Sequence, residues 1–149
     1  MAIYYNAITQ KAELAFRAYL RSAPLSQWTI DDIYAGINNW KKKVPSVVCI
    51  CQRAIPETKV GPGNNWMCEV EIRVAVNAMD EPAENLAQEA GEIFSYLSTG
   101  GVLAKDVSDA IADFTAFSVL RGNQEFRIDN KTWIYSQNLE VWCCGSDIA

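Results

Sequence analysis

The stretch from Trp66 to Leu97 limits most severely what this chain can fold into. Trp66, Cys68, Val70, Ile72, Val74 and Val76 alternate with Met67, Glu69, Glu71, Arg73 and Asn77, so one face of an extended ribbon is apolar and the other polar, as in a half-buried strand. A helix follows at once. Asp80 supplies a side-chain oxygen for free amides, Pro82 needs no hydrogen bond in a first turn, and Glu81 and Glu84 suit the positive end of a helix. Leu86, Ala90, Ile93, Phe94 and Leu97 recur at helical spacing, and Gly100-Gly101 suits the left-handed residue that closes a helix. The expectation is a helix returned over its strand, a scaffold unit without a catalytic signature.

The remaining segments fit around that unit. Residues 5–22 predict a helix, with Ile8, Ala12, Ala15, Phe16, Tyr19 and Leu20 as its stripe and Pro24 beyond its end. Over 26–40, Thr29 can cap a short helix with Asp31 and Asp32 in its first turn and Ile33, Tyr34 and Ile37 on its apolar side. The lysines at 41–43 form a basic run, either a solvated turn or a contact for an acidic partner. Val44-Pro45 then turns the chain into a first strand over 46–54. Residues 55–65, rich in Pro, Gly and Asn, read as a projecting loop, because the connector is longer than a tight hairpin turn. Residues 102–114 predict a short helix or turn, 115–120 a third strand broken at Arg121-Gly122-Asn123, and 131–143 a fourth, leaving 145–149 as a loose end.

The chain has 149 residues, half of them hydrophobic, enough for one domain with its own core. Neither a membrane-length apolar run nor an N-terminal leader pattern is visible, so a cytoplasmic protein is expected. The net charge of -5 is unevenly spread: residues 1–75 carry nine basic and six acidic side chains, and 76–149 carry four and twelve, giving +3 and -8. This balance argues against nucleic-acid binding, which requires a basic surface. It suits association between unlike faces of neighbouring copies as well as two simply solvated surfaces.

The sequence contains no histidine, which removes Ser/His/Asp and Cys/His mechanisms and the commonest zinc ligand. Cys49, Cys51, Cys68, Cys143 and Cys144 lack Cys-x-x-Cys spacing and read as strand-borne structural thiols, so no metal site, disulfide or cofactor is expected. Gly61-Pro62-Gly63 does not have the form of a phosphate-binding loop. Glu69, Glu71 and Arg73 share the polar strand face, which reads as an exposed or subunit-contacting surface rather than an acid/base pair. Trp66 and Trp133 fit the core, whereas Trp142 falls on the opposite face and fits an interface.

The order of these elements, with Val44-Pro45-Ser46-Val47-Val48 in the first strand and Glu69-Val70-Glu71-Ile72-Arg73-Val74-Ala75-Val76 in the second, resembles the tail terminator (tail completion) proteins of long-tailed bacteriophages and related small neck proteins. The resemblance covers residues 5–143 and rests on element order and apolar pattern, carrying over no individual functional residue. It implies a small sheet with helices packed against it; the segments themselves predict an α+β domain with a four-stranded, mostly antiparallel sheet and helices packed on one face. The resemblance further implies a structural, non-enzymatic virion protein at the tail-neck junction: a homo-oligomeric ring, hexameric as is common in those families, contacting the tail tube protein and neck or connector proteins. The competing readings are another head-completion or stopper protein, or a small-ligand-binding protein or histidine-free enzyme on a similar scaffold. Candidate subunit or partner contacts are Arg53, Glu57, Lys59, Glu69, Glu71, Arg73, Arg121 and Trp142.

Overall fold

The computed structural model describes residues 7–36, 46–56, 65–77, 83–97, 100–111, 114–129 and 131–144. They form an α+β fold with three α-helices, α1 (Ile8–Ser22), α2 (Ala83–Ser95) and α3 (Gly100–Ser108). Five strands, β1 (Ile33–Ala35), β2 (Ser46–Pro56), β3 (Asn65–Asn77), β4 (Thr115–Asp129) and β5 (Thr132–Cys144), make one sheet in the order β1-β2-β3-β5-β4. The β1–β2 pair is parallel and the other pairs are antiparallel.

The expected strand-and-helix unit is present, and the main core lies where its two apolar faces meet. Val70, Ile72, Val74 and Val76 share a buried cluster with Ile93 and Leu97, while Phe94 packs at its margin. The α1 stripe of Ile8, Ala12, Ala15, Phe16 and Leu20 belongs to the same cluster. Alternation along β2 and β3 carries Val47, Cys49, Cys51 and Cys68 into it as well. The expected cap at Asp80, Glu81 and Pro82 lies outside the described residues, as does the side chain of Leu86.

The sheet has a fifth strand where the sequence predicts a helix. Thr29 donates from both its amide and its hydroxyl to Asp32 Oδ2, at 3.1 and 3.0 Å, but the resulting helical structure is one 3-10 turn, Ile30–Asp32. Ile33, Tyr34 and Ala35 then pair in parallel with Val47, Val48 and Cys49. Tertiary strand pairing outweighs local capping here. Arg21 at the end of α1 fixes the strand by donating from Nε and Nη2 to the Ile33 carbonyl at 3.1 and 2.6 Å, and Gly36 leaves it with φ +94, where a side chain would be strained.

Two further boundaries differ. Gly100 opens α3 instead of closing α2. Arg121-Gly122-Asn123 does not end a strand: β4 runs on to Asp129 through a register shift between Arg121 and Gln124. Glycine suits that bulge because a Cβ at Gly122 would come within 3.3 Å of the Asn138 carbonyl oxygen. Gln137, itself buried, donates from Nε2 to the Gly122 and Asn138 carbonyls at 3.0 and 2.8 Å, pinning the irregularity.

The face away from the helices is not uniformly open. Val48, Ile50, Ala75 and Ile134 form a second buried cluster with Tyr34 at its edge. The run Val47-Val48-Cys49-Ile50 is apolar at every position because β2 is buried on both faces.

Candidate functional site

Strand register assembles a surface patch at the other end of this second face. Arg53 stands opposite Glu69, Glu69 opposite Glu140, and Glu140 opposite Leu120, forming one row across β2, β3, β5 and β4. The adjacent row is Ile55, Met67, Trp142 and Ser118. Ile55 and Leu120 are exposed, and Met67 and Trp142 are half-buried. Residues alternate along strands, so register alone decides that these side chains share a face.

Charge is arranged unevenly within the patch. Arg53 makes a bidentate pair with Glu69, Nε to Oε2 and Nη2 to Oε1, both at 2.7 Å, and the guanidinium holds the Glu69 carboxyl below its usual range. The Arg53 side chain is still 64% exposed. Glu140 is exposed directly across from Glu69, and like charges in that relation repel. Beside them lies a cleft of about 340 Å³ lined by Gln52, Glu69, Asn123, Asn138 and Glu140 among others.

Glu71 and Arg73 lie on the same face but are not open, contrary to the sequence expectation. Their side chains are 8% and 11% exposed, and Arg73 Nε donates to Glu71 Oε1 at 2.7 Å and Nη2 to Oε2 at 3.1 Å. Gln52 Nε2 donates to Glu71 Oε2 at 2.6 Å. Residues i and i+2 point to the same side of a strand, which brings the two charges together beside the second buried cluster. The polar face of β3 is therefore divided into a buried pair and an exposed end.

The other candidates are dispersed. Arg121 is exposed, but its register partner is Leu139, on the alternate parity to Glu140. Glu57 and Lys59, with most of the expected projecting loop, lie outside the described residues. Of that segment, Ile55 and Pro56 continue β2 and Asn65 begins β3.

The cysteines are free thiols, and Cys49, Cys51, Cys68 and Cys143 are buried. Cys68 and Cys143 approach to 3.6 Å between sulfurs. Hydrogen bonding with Cys68, followed by burial, pushes the Cys51 and Cys143 thiols up, while its bonds with Cys143 and then Cys51 pull Cys68 down. Burial pushes Cys49 up.

Sequence reasoning singled out Arg53, Glu69 and Trp142 but missed Ile55, Met67, Leu120 and Glu140, which complete the patch. Their parity was readable; their juxtaposition depends on the register of four strands. A second missed contact is Glu13, whose Oε2 accepts the Cys51 amide at 2.9 Å beside the register shift in β2. Burial pushes the Glu13 carboxyl up, and the amide opposes it.

Comparison with protein-family models and with curated proteins finds no match.

Proposed function

We propose that this chain is a structural virion protein, a tail terminator that closes the top of a long phage tail as a ring of identical copies and joins it to the neck. The observation that carries the reading is the row Arg53-Glu69-Glu140-Leu120 beside Ile55, Met67 and Trp142. It combines exposed apolar side chains with a repulsive carboxylate pair of which Arg53 engages one member. Such a patch fits a subunit contact, where aromatic and apolar groups supply burial and a cation from the neighbour completes the charge pattern.

A head-to-tail contact uses two different surfaces and closes when the rotation between copies divides a full turn. The described helices lie on the opposite side of the sheet from the patch, so the two faces of one subunit are chemically distinct. In this reading Arg53, Glu69, Glu140 and Trp142 meet the neighbour, Glu71 and Arg73 hold the sheet beneath, and activity consists of assembly without turnover. Native mass spectrometry and negative-stain imaging of the full chain test this directly: a closed ring of one fixed copy number, six in the simplest case, is expected. A protein that remains monomeric at high concentration and in the presence of tail tubes contradicts it.

A further inference from the structure

We propose that the far half of β4 pairs with the same strand of a second copy, antiparallel about a two-fold axis through Phe126, so that one sheet runs across both subunits. β4 is the terminal strand of the sheet, and among the described residues its outer edge is unpaired. Residues 120–128 are all exposed. A long edge of this kind templates pairing with another strand unless it is interrupted or covered. Beyond the bulge, Gln124 to Asp129 pair without a break with Gln137 to Thr132, so the edge here is regular.

This half also carries apolar surface. Phe126 is 46% and Ile128 62% exposed. Phe126 is already placed against Tyr135 and Trp133, with ring centroids 4.9 and 6.4 Å apart, so little side-chain freedom remains to be lost on association.

Charge complementarity selects the occupant and the register. In an antiparallel two-fold pair the axis passes through one residue, and each neighbour faces the residue equally far on its other side. An axis at Glu125 sets Glu125 against itself, one at Arg127 sets Arg127 against itself, and one at Gln124 sets Arg127 against Arg121; one at Asn123 opposes Arg121 to Glu125 but runs through the bulge, and one at Ile128 opposes Arg127 to Asp129 only at the end of the strand. An axis at Phe126 sets Glu125 of each copy opposite Arg127 of the other, twice, on one face. On the other face it sets Phe126 against Phe126, with Ile128 opposite Gln124. The segment Glu125-Phe126-Arg127 is thus complementary to itself.

This pairing uses a different part of β4 from the Leu120 row and does not rest on the ring. Sedimentation of the full chain at tens of micromolar tests it with the variants Glu125→Arg, Arg127→Glu and the double exchange. The wild type should self-associate, each single reversal should weaken association about tenfold by turning attraction into repulsion, and the double exchange should restore it. Phe126→Cys should form an intermolecular disulfide under copper–phenanthroline oxidation beyond any wild-type background. The proposal is overturned by a monomeric wild type, by self-association that ignores the single reversals, by failure of the double exchange to rescue, or by absence of the cross-link. A closed ring unaffected by Glu125→Arg would overturn the pairing and leave the ring standing; a two-fold dimer that never closes into a ring would do the reverse.

Discussion

Glu71 and Arg73, two residues apart on β3, close a two-bond ion pair almost entirely within the protein. That relationship changes what either residue does when replaced. Removing one partner leaves the other charge buried without its counterion, which costs about 3–5 kcal/mol for a buried pair. Glu71→Ala and Arg73→Glu are each expected to lower the denaturation midpoint of the isolated subunit in urea titrations. A variant with wild-type stability would show that the pair is dispensable. The sequence alone suggested the opposite, because alternation assigns a face without revealing whether that face is covered.

The main core gives a second expectation. Ile72 and Leu97 are fully buried in the cluster joining β3 to the end of α2, so Ile72→Ala or Leu97→Ala should each cost about 2–5 kcal/mol. Equilibrium unfolding monitored by tryptophan fluorescence measures this directly. Losses under 1 kcal/mol would contradict the packing described.

Glu92 ties the segment after α1 to α2. Its Oε1 accepts the amides of Ser26 and Gln27 at 3.1 and 3.0 Å, and its Oε2 accepts the Ser26 hydroxyl. Burial pushes the carboxyl up, but these donors outweigh it and hold the group below its ordinary value. Because the folded-state value is depressed, the stabilisation is present above the unfolded carboxylate value and disappears as pH falls through the folded one. Thermal melts from neutral pH to about pH 3 should therefore show a smaller fall in midpoint for Glu92→Gln than for wild type. Parallel curves would exclude the contribution.

At the β4 bulge, Gly122→Val is expected to destabilise the protein by about 1–3 kcal/mol, since its Cβ would stand 3.3 Å from the Asn138 carbonyl oxygen, tighter than ordinary packing, and the branched side chain adds atoms beyond it. Hydrogen exchange should show faster opening of β4 around the bulge. Unchanged exchange would mean that Asn138 gives way without loss.

How far the fold could be read in advance follows from these particulars. Periodicity exposed the β3 and α2 faces because one side of each is apolar throughout and the other mostly polar. It failed at Ile33–Ala35, where pairing with β2 prevails over the Thr29–Asp32 turn chemistry, and at Gly122, where a bulge has the same composition as a strand end. Of the patch, Arg53, Glu69 and Trp142 were singled out from residue type and parity. Glu140 and Leu120 were not, because their relation to Glu69 depends on which strands become neighbours.

In the proposed ring, copies meet at the surface around Trp142, Met67 and Leu120. Hydroxyl-radical footprinting of assembled and dissociated protein, read residue by residue, tests it most directly. In that case oxidation of Trp142, Met67 and Leu120 falls at least several-fold on assembly. Equal oxidation of Trp142, Met67 and Leu120 in the two states would contradict it.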